Sequence, residues 1–206
     1  MDTYVYIDGF NFYYGAVKDT KYKWLDLNKM CQMLLPKHNI VKIKYFTAIV
    51  SGRKDPDQPL RQKSYIRALK SFLPNIEVFE GKFLSHPVTM PLETPNGSMK
   101  YARVIKTEEK GSDVNLAIHM INDAWKDLYE CAVLISNDSD LAGALEIVKC
   151  ERKKLIGVIN PHKHHFSQEL IHHAHFKKPV RESVLQQCLL PNNIPGTNIR
   201  IPQAWK

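Results

Sequence analysis

Five short runs of β-branched, aromatic and aliphatic residues alternate with segments of helical periodicity, and this alternation limits the fold more than any other feature of the chain. The runs are Tyr4 to Ile7, residues 41–50, Ile76 to Phe83, Cys131 to Ile135 and Leu155 to Ile159, each with the composition of a strand. Between them, Leu27, Met30, Cys31 and Leu34 share one helix face, which Pro36 closes. Pro59 suits the start of a helix running to Phe72, with Tyr65, Ile66, Leu69 and Phe72 near one side. Ser112 is expected to cap a helix whose apolar side carries Val114, Ala117, Ile118, Ile121 and Trp125. Further helices are expected from Phe12 to Val17, from Leu141 to Val148, and from about Phe166 to Phe176. Strands alternating with helices in this way build a mainly parallel sheet covered on both faces. Residues 84–100 interrupt the pattern with Pro87, Pro91, Pro95 and Asn96-Gly97, a hairpin excursion that returns along Tyr101 to Thr107.

At 206 residues the chain is long enough to bury a core without disulfides or a structural metal. It reads as one domain over residues 1–180 with an extended arm over 181–206, whose last part is rich in Pro and Asn and lacks periodicity. No apolar run approaches the ~20 residues a bilayer span requires, and Met1-Asp2-Thr3-Tyr4 has no signal-peptide character. Cys31, Cys131, Cys150 and Cys188 are scattered, with no CxxC pair to form a zinc ribbon or redox motif. Reduced cysteines and a cytoplasmic location are the expectation. A membrane is not an expected partner, and self-association as a homodimer stays open.

Charge is unevenly placed. The net charge is +8, but residues 1–148 hold 19 Lys+Arg against 18 Asp+Glu, whereas residues 149–206 hold 10 against 3. A basic C-terminal third points to an anionic partner, nucleic acid being the commonest, with a solvated basic surface as the plain alternative.

Four aspartates occupy equivalent places in the expected architecture. Asp8 follows the first strand, Asp138 and Asp140 follow the strand ending at Ile135, and Asp113 lies in the first turn of a helix after Gly111-Ser112. In a parallel α/β sheet, the carboxyl ends of strands and the starts of helices share one edge, where ligands bind. Taken singly, each aspartate has an ordinary role as turn former, helix-dipole partner or N-cap. Together at one edge they would repel one another, and a divalent cation removes that penalty. Hard oxygen donors suit Mg²⁺ or Mn²⁺, which can activate water and stabilise charge on a phosphate.

The segments Tyr6-Ile7-Asp8-Gly9-Phe10-Asn11, Lys110-Gly111-Ser112-Asp113-Val114 and Leu134-Ile135-Ser136-Asn137-Asp138-Ser139-Asp140 resemble the NYN domain family of PIN-like nucleases, most closely its bacterial LabA-like branch. The resemblance runs from about residue 4 to residue 176. It implies a PIN-like Rossmannoid three-layer sandwich and a metal-dependent ribonuclease activity on RNA. Asp8, Asp113 and Asp138 would be the metal-site acids, with Asp140 completing the cluster through water. Asn11 would hold substrate or orient Asp8, and Ser136 would position its loop or bind a phosphate. Lys110 would face the scissile phosphate or pair with an aspartate, and Arg61, Gln62 and Tyr65 would face substrate. Asn137 stands where the family usually has Gly, and asparagine tolerates the left-handed backbone that a glycine there suggests. Ser112 stands where the family usually has Val, and Leu141 where Phe is common. Some members with a similar Pro-rich arm carry an oxidative label, hydroxylation of a pyridine compound. The sequence offers neither a GxGxxG after a strand nor a facial triad of metal ligands to support it.

His162, His164, His165, His172, His173 and His175 crowd one segment, where phosphate contact or plain surface fits better than zinc. Phe10, Phe12 and Tyr13 can stack on bases, although aromatics of this kind are more often core. Three functions remain open: a Mg²⁺- or Mn²⁺-dependent ribonuclease, a non-catalytic RNA-binding module, and a phosphoesterase acting on a small nucleotide.

Overall fold

The computed structural model describes residues 1–206 except Lys54 and His164. One sheet of seven strands runs in the order β4-β3-β2-β1-β5-β6-β7. Its strands are β1 (Asp2–Asp8), β2 (Asn39–Ala48), β3 (Ile76–Asn96), β4 (Met99–Lys110), β5 (Cys131–Ile135), β6 (Leu155–Asn160) and β7 (Phe176–Pro179). Every pairing is parallel except β3 with β4, the long hairpin that leaves the sheet and returns. The helices are α1 (Gly9–Phe12), α2 (Leu27–Leu34), α3 (Gln58–Phe72), α4 (Ser112–Trp125), α5 (Ala142–Cys150), α6 (Gln168–His173) and α7 (Glu182–Gln187). A π-turn over Tyr13–Val17 extends α1. No described helix is long and apolar enough to cross a membrane.

Two cores form because alternate residues of each strand face opposite sides of the sheet. Val5 and Ile7 of β1 join Ile43, Val133 and Ile159 on one side, under α2 and α3. Tyr4 and Tyr6 face the other side with Ala132, Leu134 and Val158, under α4, α5 and α6. The result is the expected α/β three-layer sandwich with a hairpin excursion.

The sequence expectations need three corrections. Ser112 is not the N-cap of α4: Gly111 holds that position at φ 96°, a left-handed value that favours glycine. The buried stripe of α4 is Leu116, Met120, Asp123 and Ala124, while Val114, Ile118 and Trp125 are more than half exposed. Asp123 belongs inside because it accepts from the Tyr6 hydroxyl at 2.7 Å and pairs with the buried Lys44 ammonium at 2.6 Å. The His-rich helix is confined to α6, and the chain beyond it forms β7 beside β6. Residues 181–206 pack against the domain, with Leu185, Cys188, Leu190, Ile194 and Ile199 buried in the first core. The Trp24 indole donates to the Pro191 carbonyl at 3.0 Å, tying that segment down.

Candidate metal centre

The strand order reverses between β1 and β5: β2 and β3 extend to one side of β1, while β6 and β7 extend beyond β5. At such a switch point the connections after adjacent strands diverge, and a crevice opens at the carboxyl ends. Asp8 ends β1, and Asp138 follows β5 in the same crevice. Asp113 enters from the first turn of α4. One carboxylate oxygen from each of Asp8, Asp113 and Asp138 lies within 4.8 Å of the others.

Each acid is held by its local structure. The Asn11 N–H donates to Asp8 Oδ1 at 2.9 Å, so Asp8 caps α1. The buried Ser136 hydroxyl donates to Asp8 Oδ2 at 2.9 Å, and its oxygen accepts from the Asp138 N–H at 3.1 Å. Ser136 therefore couples two acids, one on each side of the switch point. Asp138 Oδ1 accepts from the Asp140 N–H at 3.0 Å. Gly9 admits no side chain, because a Cβ there would sit 2.6 Å from the Phe46 carbonyl oxygen and 2.9 Å from the Tyr45 ring.

The electrostatics are unfavourable to charge without a cation. Burial pushes the Asp8 carboxyl above its ordinary range, while bonds from Asn11 and Ser136 oppose that shift and the Asp138 charge adds to it. Asp113 is pushed up to about 6, first by burial and then by the charges of Asp8, Asp138 and Glu109. The set consists of hard oxygen donors that repel one another, which fits Mg²⁺ or Mn²⁺.

Other expected site residues fall around this centre. Asp140 is exposed outside the three-acid cluster and contributes its N–H to Asp138. The Asn11 side chain makes no bond to Asp8; its Oδ1 accepts from the Asn137 N–H at 2.9 Å. His162 Nε2 also contacts that oxygen at 3.1 Å, which places the imidazole proton on Nε2 in this bond. Asn137 does not adopt a left-handed backbone. Its amide spans to the next loop instead, donating to the His165 carbonyl at 3.1 Å and accepting from the Ser167 N–H at 2.8 Å. Lys110 pairs with Glu108 at 3.4 Å rather than with an aspartate. Arg61 pairs with Asp55, and Gln62 bonds the Val50 N–H and the Ala48 carbonyl.

The sequence reading missed Glu109 and singled out no individual histidine. Glu109 accepts from both the N–H and the hydroxyl of Ser112, at 3.1 and 2.8 Å, and adds its charge beside Asp113. An acid three residues before the helix start was the available signal. His162 could be recognised only after folding placed it against Asn11. His164 lies outside the described residues. His175 accepts from the Ile156 N–H at 3.0 Å, and no group containing histidine has metal-binding geometry among the described residues.

Two clefts include a sequence neighbour of one acid, Asn137 or Gly9, although none of the three acids lines either. The larger, about 460 Å³, is lined by Lys18, Asp19, Asn137, His162, Lys163 and His165 among others. The smaller, about 80 Å³, lies beyond Gly9 and is lined by aromatic rings.

The NYN domain model matches residues 2–178, spanning all three acidic segments. The chain belongs to the NYN domain family. This NYN domain is 34% identical to 6-hydroxy-3-succinoylpyridine 3-monooxygenase HspA of Pseudomonas putida (strain DSM 28022 / S16), an alignment covering 100% of this chain and 75% of that protein. A crystal structure of a Vibrio parahaemolyticus RIMD 2210633 protein of unknown function has the same fold, with a TM-score of 0.56 and 20% identity. That likeness covers 92% of this chain and 96% of the other. The NYN domain thus has a nuclease-type α/β fold with an acidic cluster able to hold a metal.

Proposed function

We propose that this NYN domain hydrolyses phosphodiester bonds of RNA using Mg²⁺ or Mn²⁺ held by Asp8, Asp113 and Asp138. The observation that carries the reading is the convergence of those carboxylates, from three separate elements, at the switch point of the sheet. When bound, the ion would supply an acidified water and charge stabilisation on the phosphate. Ser136 and the Asn11 N–H hold the acids at fixed positions. Asp140, exposed beside Asp138, can hold a water at the rim. The cleft bearing Lys18 and Lys163 offers positive charge to a nucleic-acid backbone next to the acids. His162, fixed through Asn11, lines the same cleft.

The name of the relative HspA favours a second reading, oxidation of a pyridine compound. Three carboxylates are a donor set for hard ions, whereas non-haem iron oxygenases typically use two histidines and one carboxylate. Hydrolysis is therefore the primary reading.

The test uses the intact chain on a panel of labelled RNAs with Mg²⁺, Mn²⁺ or chelator. Metal-dependent cleavage that Asp8→Asn and Asp138→Asn abolish without unfolding supports the proposal. A parallel reaction offers 6-hydroxy-3-succinoylpyridine with dioxygen and a reductant. Intact RNA together with consumption of the pyridine would overturn hydrolysis. RNA bound in a salt-dependent way but never cut would leave a binding module, and cleavage confined to small phosphodiesters would mark a small-nucleotide phosphoesterase.

A further inference from the structure

The aromatic cleft on the far side of Gly9 has no part in the chemistry above, yet its rim begins one residue after Asp8. Phe10, Phe12, Tyr13, Tyr45, Tyr65 and Trp205 line it. Trp205 comes from the last turn of the chain and is held in place by Trp24 and Tyr65, with ring centres 6.4 and 6.3 Å away. The C-terminal segment therefore completes a wall of this cleft.

Its polar groups divide into two sets. The Tyr65 hydroxyl donates to the Leu25 carbonyl at 2.9 Å, and Gln62 is spent on Val50, Thr47 and Ala48. Tyr13, Gln58 and Lys23 also line the cleft, and among the described residues their side-chain polar groups have no hydrogen-bond partner. Rings able to stack, together with donors free to meet a polar edge, are the chemistry that recognises a nucleobase.

We propose that this cleft is a subsite for a base of the RNA strand whose phosphate lies at Asp8, Asp113 and Asp138. The inference rests on the RNA reading, but it is tested without cleavage. The full-length protein in chelator is titrated with uridine and with adenosine, and binding is followed by saturation-transfer NMR and tryptophan fluorescence. Both nucleosides are expected to bind and to quench tryptophan fluorescence, because stacking on the cleft's rings accepts any base. Asp8→Asn should keep that binding. Trp205→Ala should weaken it roughly 5- to 150-fold, as expected for the loss of one stacking partner, while Trp205→Phe restores most of it. Tyr13→Leu, which removes another lining ring, should weaken it as well. No binding of either nucleoside, or a Trp205→Ala variant that binds both as the wild type does, would overturn the subsite. Uridine binding in a protein that never cuts RNA would support the pocket and defeat only the hydrolytic reading. RNA cleavage without nucleoside binding here would do the reverse.

Discussion

Replacing Asp113 by Asn should stabilise the metal-free protein. Asp113 titrates at about 6 rather than at its ordinary 3.8, through burial and the charges of Asp8, Asp138 and Glu109. Each tenfold change in proton affinity corresponds to about 1.4 kcal/mol, so the ionised carboxylate would cost the fold about 3 kcal/mol at neutral pH before screening. Asp113 is only half-buried, and solvent screening reduces the figure to about 1–2 kcal/mol. The sign follows from the raised value. The unfolded chain releases this proton near pH 4 and the folded chain near pH 6, so the folded state binds more protons in between. Wild-type stability therefore falls as pH rises through that window and stays low above it. The asparagine side chain has no proton to lose, so Asp113→Asn should gain roughly 2–8 °C in Tm at pH 7.5 in chelator. The gain should vanish below pH 4. Adding Mg²⁺ should reverse the order, because a ligand at 100 times its Kd stabilises by about 2.7 kcal/mol only where its site is intact. Circular-dichroism melts across pH 4–8, with chelator and with Mg²⁺, measure all three effects. A variant less stable than the wild type in chelator at pH 7.5, or an advantage unchanged at pH 4, would refute the electrostatic reasoning.

Three further outcomes follow from the same geometry. Ser136→Ala removes the hydroxyl shared by Asp8 and the Asp138 N–H, and should weaken metal binding about 10- to 100-fold in calorimetric titration while the fold persists. Lys44→Met strips the buried Asp123 of its ammonium partner and should cost about 3–5 kcal/mol in urea unfolding, with the acidic cluster untouched. Gly9→Ala drives a methyl group against the Phe46 carbonyl and the Tyr45 ring, and should cost about 1–3 kcal/mol in the same assay.

How much of this was legible beforehand depended on the range of the interaction involved. The runs at Tyr4 to Ile7 and Cys131 to Ile135 declared themselves locally, because fully buried parallel strands are apolar throughout. The acids Asp8, Asp113 and Asp138 could be nominated because strand ends and helix starts share an edge in this architecture, whatever the strand order. The buried face of α4 could not, since Asp123 is inside only because Lys44 and Tyr6, distant in sequence, meet it there. Periodicity selected Val114, Ile118 and Trp125 instead, and Trp125 is in fact exposed under the Arg152 guanidinium. Strand β7 is four residues with two lysines, and its assignment comes from pairing with β6 rather than from composition. The role of Trp205 was equally hidden, because an aperiodic Pro-rich segment gives no local sign of the cavity it covers.

The claim on which the rest depends is that Asp8, Asp113 and Asp138 share one divalent ion. Diffraction from crystals soaked in Mn²⁺, recorded near the manganese absorption edge, tests it most directly. The account predicts a single strong anomalous peak bonded to one oxygen of each aspartate, absent from Asp8→Asn crystals soaked alike. No peak between the three carboxylates at saturating Mn²⁺, or a peak that survives Asp8→Asn unchanged, would contradict it.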